Sequence, residues 1–208
     1  MAIAMALLWG IFLSAVGIAL PGLINMTAAK ISVRDGRSRA VYFALGATVI
    51  VFFQTYIAVA FAKFINSRPD IIHLLQEIGL GLFTLLTVYF FFIAKKPKLK
   101  EEVSKIRTKV GRFFLGMLLS ALNFFPIPYY VFVSITLANN GHLEFTPILI
   151  WMFVTGVVIG SFSIFYLYII FFKKIEHKTN WMMENMNYFL GSVTGLVAII
   201  NLIKILRN

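Results

Sequence analysis

The chain is 208 residues long, 60% hydrophobic, 13% charged and +11 in net charge, with no cysteine. A soluble domain is about 45–50% apolar and about 25% charged, so this chain lacks the polar surface to coat a water-soluble particle, and lipid must cover much of it. The missing cysteines exclude a disulfide framework, a thiolate metal site and a cysteine nucleophile.

A bilayer-spanning helix needs about 20 largely apolar residues, and six uncharged runs follow one another along the chain. The first is Met1–Ala29. It lacks the basic start of a signal peptide, so it reads as a retained span. The second is Ala40–Ala62, with Gly46, Gln54 and Thr55 inside it. The third, Ile78–Ala94, reaches spanning length when extended back through Ile71–Gln76. The fourth, Phe113–Leu143, ends in Asn139-Asn140-Gly141-His142, a strong turn sequence. The fifth, Phe145–Phe172, carries Gly156 and Gly160, and the sixth, Asn185–Ile203, carries Gly191 and Gly195. Such spacings let helices approach closely. They either pack spans five and six within one chain or form a homodimer face. Trp9, Tyr89 and Trp181 suit the membrane interfaces. The fold class expected is an all-α integral membrane protein, one transmembrane domain over residues 1–208 with six helices.

The basic residues set the direction of these spans. Lys30, Arg34, Arg37 and Arg39 follow span one. Lys95, Lys96, Lys98, Lys100, Lys105, Arg107, Lys109 and Arg112 follow span three, and Lys173, Lys174 and Lys178 follow span five. Fifteen of the 19 basic residues thus fall on one side, which the positive-inside rule makes cytoplasmic, with both termini outside. The same sorting accounts for the high pI without nucleic acid as a partner; the partner is the lipid bilayer. The central basic loop, about 95–112, divides the chain into halves of about 1–95 and 113–208. Each half holds three spans, so the second enters the membrane in the opposite direction, as in an inverted repeat.

The first span of each half is interrupted. Span one reads Gly17-Ile-Ala-Leu-Pro21-Gly22-Leu-Ile-Asn25, and span four reads Gly116 through Asn123-Phe-Phe-Pro126-Ile-Pro128-Tyr129-Tyr130. Proline removes an N–H and clashes with the preceding turn. Helices broken at corresponding places in two halves point to a transport site; the alternative is a pair of proline kinks used for packing. These residues resemble the lysine exporter (LysE) family of bacterial amino-acid efflux proteins. The family has a Pro-Gly-Pro-Asn-Asn-like motif in its first span and a glycine followed by Asn-Pro-Lys in its fourth. Pro21, Gly22 and Asn25 match the first motif, with Leu23 and Ile24 in place of its second proline and first asparagine. Gly116 and Asn123 match the second, with Phe124 and Phe125 in place of proline and lysine, and Pro126 taking over the break. The basic stretch Arg34–Arg39 leading to Gly46 extends the resemblance, which covers essentially the whole chain. The acidic residue that the family often carries beyond this glycine is absent from Ala47–Gln54.

No charged residue falls in the middle of a run, which leaves no membrane carboxylate to shuttle protons or hold a divalent metal. The polar groups that remain are Asn25, Thr27, Gln54, Thr55, Asn123, Tyr129, Tyr130 and Ser134. With the positive end of a half-helix they suit a zwitterion or small neutral solute. The alternative, helix–helix hydrogen bonding, is a better or an equal account of Gln54, Thr55 and Ser134. No metalloprotease, phosphate-loop or serine-hydrolase motif is present, so no catalytic residue, metal or cofactor is expected. The substrate-binding candidates are Pro21, Gly22, Asn25, Asn123, Pro126, Pro128 and Tyr129. Together with the resemblance they imply a secondary transporter of the bacterial inner membrane, exporting amino acids or related small polar metabolites. The rival readings are a metal or ion exporter and a non-transporting membrane subunit.

Overall fold

The computed structural model describes residues 1–19, 22–94 and 108–207. Pro21 and most of the central basic loop lie outside these residues. Among the described residues eight α-helices run in order: α1 (Ala2–Ile18), α2 (Leu23–Asp35), α3 (Arg37–Asn66), α4 (Pro69–Val88), α5 (Lys109–Ala121), α6 (Pro126–Asn139), α7 (Pro147–Glu184) and α8 (Met186–Arg207). A π-helical turn, Tyr89–Ile93, extends α4.

Local sequence explains most of the boundaries. Gly36 separates α2 from α3 at φ +96°, a conformation that favours glycine. Pro126 opens α6, where a missing N–H costs nothing. Asn139 to His142 closes α6 as the sequence predicts: Gly141 takes φ +71°, its N–H donates to Ala138 O, and His142 N–H donates to Leu137 O. That is the glycine-terminated double bond that ends many helices. Thr108 caps α5, its hydroxyl accepting from the Gly111 N–H at 3.1 Å.

The chain divides into two compact units, and each takes a piece from both sequence halves. Met1–Lys63 and Leu99–Glu176 form the first unit. One of its cores gathers Ala6, Val51, Val59, Tyr130, Val133, Phe153 and Val157 from α1, α3, α6 and α7. A second gathers Ile24, Ala28, Ile31, Phe43, Ala47 and Phe165 from α2, α3 and α7. In α2 every residue from Ile24 to Ala29 is buried, so this stretch of the helix has protein on all sides, while Lys30, Val33 and Arg34 beyond it are exposed. Glycines set two close crossings. A Cβ on Gly10 would lie 2.3 Å from Phe153 O and one on Gly156 2.2 Å from Leu7 O, so α1 and α7 touch backbone to backbone. A Cβ on Gly46 would lie 1.9 Å from Phe113 O and one on Gly116 2.0 Å from Phe43 O, which does the same for α3 and α5. Gly160 packs on Ser14 and Ile11, so the fifth run's glycines serve span one.

Phe64–Lys98 and His177–Asn208 form the second unit. Here α4 with its π turn packs on α8. Gly191 receives the Phe91 ring, Thr87 Oγ1 donates to Thr194 Oγ1 at 3.0 Å, and Asn187 Nδ2 donates to Ala94 O at 2.7 Å. The glycines of the sixth run therefore serve span three.

Among the described residues, α3 and the stretch Pro147–Phe171 of α7 are each long and apolar enough to cross a membrane alone. The pairs α1–α2 and α5–α6 qualify only when each is taken as one span, bent by 80° and 63°. That gives two to four spans by length and composition, against six in the sequence reading. The difference lies in the third and sixth runs. The apolar part of the third, Gly79–Ile93, is shorter than a spanning helix.

Candidate functional site

Both interruptions foreseen in the sequence break a helix. At the first, α1 stops at Ile18 and α2 starts after Gly22, whose backbone is extended (φ −112°, ψ 179°). A helix that stops leaves its last carbonyls without partners, and in a membrane interior these must be satisfied by protein. Asn25 reaches back seven residues, its Nδ2 donating to Ile18 O at 2.7 Å. Tyr168 from α7 donates its hydroxyl to Ala19 O at 2.8 Å, and the Asn25 side chain also interacts with Tyr168. Tyr129, just past the second break, donates to Leu13 O at 2.8 Å with its ring packed over Gly17.

At the second break, α5 stops at Ala121 and α6 starts at Pro126. Here Gln54 from α3 does the capping. Its Nε2 donates to Ser120 O at 3.1 Å and to Asn123 O at 2.8 Å, while its buried Oε1 has no partner among the described residues. The hydroxyls of Thr55, Ser120 and Ser134 are likewise buried without a partner among those residues.

The two half-helix starts are not equivalent. Neither Gly22 nor Phe125 supplies a side-chain cap. The first turn of α2 keeps its N–H groups, and a Cβ on Gly22 would meet nothing within 4 Å. The first turn of α6 contains Pro126 and Pro128, which have no N–H, and Ile127 and Tyr129 donate back to Phe124 O and Phe125 O. The start of α2 is therefore the better place for a carboxylate.

Of the residues expected from sequence, Gly22, Asn25 and Tyr129 gather at the first break. Asn25 is 3% exposed. Pro126 and Pro128 shape the start of α6 and are half-buried. Asn123 is exposed, and it is its backbone carbonyl that enters the capping. Pro21 falls outside the described residues. The glycines that open the two interrupted stretches are not equivalent: Gly116 sits at a backbone crossing, where its counterpart in the first half is Gly10, while Gly17 receives Tyr129.

Residues 15–204 match the family model LysE type translocator. The chain belongs to this family. No curated protein and no solved structure matches it. Family members are membrane translocators, which accords with a helical chain whose breaks are lined by neutral polar groups.

Two features of this LysE-family chain were missed in the sequence. Tyr168 is one hydroxyl in an apolar run, with nothing local to mark its reach to Ala19. Asp35 and Arg112 form an ion pair with side-chain exposures of 8% and 1%. In the sequence Asp35 sits within one basic stretch and Arg112 at the end of another, where charge reads as solvated and topological.

Proposed function

We propose that this chain is a secondary transporter with six spans that exports amino acids or related small polar metabolites across the bacterial inner membrane. Its substrate site lies at the two helix breaks, around Pro21, Gly22, Asn25, Asn123, Pro126, Pro128 and Tyr129. The observation that carries the reading is the pair of interrupted helices with capped carbonyl ends, joined by Tyr129. A solute's carboxylate would face the start of α2, and its ammonium would face the carbonyls that Asn25, Tyr168 and Gln54 now occupy.

A reciprocal pattern supports two inverted halves. α1 crosses α7 through Gly10 and Gly156, while α5 crosses α3 through Gly116 and Gly46. The break after α1 is capped from α7 and the break after α5 from α3. Exchanging the halves turns each arrangement into the other. Rocking of such repeats about a central site is a recurrent transport mechanism.

The test is flux of a mixed pool of amino acids and small metabolites in proteoliposomes. Selective flux that Asn25→Ala abolishes supports the assignment. Flux indifferent to both Asn25→Ala and Asn123→Ala moves the site elsewhere. Folded, inserted protein with no selective flux would favour a non-transporting membrane subunit.

A further inference from the structure

We propose that Asp35 and Arg112 form a latch that holds the basic-loop face of the transporter closed. They are positioning residues for the transport cycle, not contacts of the solute. The inference gives this pair a purpose that rests on the transport reading.

The argument begins with helix ends. Asp35 is the last residue of α2, and Arg112 lies in the first turn of α5. An acid at a helix C-terminus and a base at an N-terminus both oppose their own helix dipoles. Each is at the wrong end of its own helix and at the right end of the other's. Arg112 Nη2 donates to Asp35 Oδ2, and the two side chains are almost completely buried. A surface pair would contribute little. A buried pair removes two charges from water, so it persists only where its geometry is held. That geometry is held: Gly36 turns the chain at φ +96°, and Arg39 Nη1 donates to Asp35 O at 2.6 Å.

The position of the pair gives it a role. It links the C-terminal half-helix of the first broken span to the N-terminal half-helix of the second, one from each half of the chain. Arg112, Gly116 and Ser120 are the buried residues of α5 and lie four apart on one face. That stripe runs from the ion pair, past the α3 crossing at Gly116, to the Gln54-capped break. Eight residues of helix put Ser120 about 12 Å from Arg112 along the axis. Release of the ion pair would let α5 swing away from α2 and from the α3 backbone that covers Gly116, uncovering the stripe from the side that carries Lys30 to Arg39. A buried ion pair is suited to such a junction, because it is strong when closed and each charge can be hydrated when open.

The natural chain has no cysteine, so a single Ser120→Cys provides a reporter. Membrane vesicles of each orientation are exposed to a membrane-impermeant maleimide. With the ion pair intact, Cys labelling from the basic-loop face should be slow. Asp35→Asn or Arg112→Gln should accelerate it by about tenfold or more from that face alone, since losing a contact made in one state shifts the population toward the other. The exchange of Asp35→Arg with Arg112→Asp should restore slow labelling. Unchanged labelling in the single variants, or equal acceleration from both faces with no recovery in the exchange, overturns the latch. Should the single variants fold poorly, the exchange decides by itself: slow labelling supports the latch and fast labelling overturns it. Labelling needs no solute, so absence of flux would sink the transport reading without touching this result.

Discussion

Asn25, Tyr168 and Gln54 share one task, which is to donate to carbonyls that a broken helix leaves free. Hydrogen bonds between membrane helices average only about 0.6 kcal/mol, because the separated helices find other partners. A carbonyl at a helix break inside the protein has no such substitute, and stranding it costs about 1–3 kcal/mol. We expect Tyr168→Phe, which keeps the ring and removes the donor to Ala19 O, to destabilise the protein by the larger figure. Thermal unfolding in detergent measures it, and a loss near the smaller one would mean that Ala19 O finds another donor. Asn25 was legible in the sequence because its amide stands four residues after Pro21. Gln54 was visible but read as packing, since nothing local shows that it faces Asn123 O 69 residues away. Asp35 and Arg112, 77 residues apart, were hidden by the positive-inside pattern, which explains every basic residue near a span without asking what it touches.

The helices themselves were mostly legible. Both breaks, the turn at Gly141 and the runs that became α3 and α7 follow from proline, glycine and hydropathy. What the helices pack against was not, because a glycine spacing announces a close approach without naming the partner. Gly156 and Gly160 meet α1, and Gly191 meets the π turn. The crossings lead to a contrast between glycines. At Gly116 a Cβ would sit 2.0 Å from Phe43 O, a backbone atom that cannot swing away. Gly116→Ala must push α5 off α3, and overpacking of this kind costs about 1–3 kcal/mol. Gly81 lies within α4, where a Cβ meets nothing within 4 Å. There the higher helix propensity of alanine should dominate, and Gly81→Ala should stabilise by about 0.5–1 kcal/mol. Melting temperatures of the two variants should move in opposite directions; a common direction would contradict one of these contacts.

At the scale of the whole chain, charge fixes the orientation, and the number of spans then decides where the termini lie. If α1–α2, α3, α5–α6 and α7 were the only spans, the loop at 95–112 would stay on the side reached after α3. Its eight basic residues would then share that side with Lys63, Arg68, Lys173, Lys174, Lys178, Lys204 and Arg207. The positive-inside rule would make that side cytoplasmic, leaving Lys30, Arg34, Arg37 and Arg39 outside and both termini within. Six spans instead put Lys30 to Arg39 inside with the central loop, and both termini outside. Six spans need two further crossings, by the third and sixth runs; the apolar part of the third, Gly79–Ile93, is short, but it can be lengthened through α4 back toward Pro69, and a bilayer adjusts to modest mismatch at small cost. Fusions of alkaline phosphatase, which is active only outside the cytoplasm, separate the two counts. We expect a fusion after Asn208 to be active and a fusion after Arg39 to be inactive. The four-span arrangement gives the opposite result at both positions. Two spans in each half would also send the second half into the membrane in the same direction as the first, and the case for inverted repeats would fall with it.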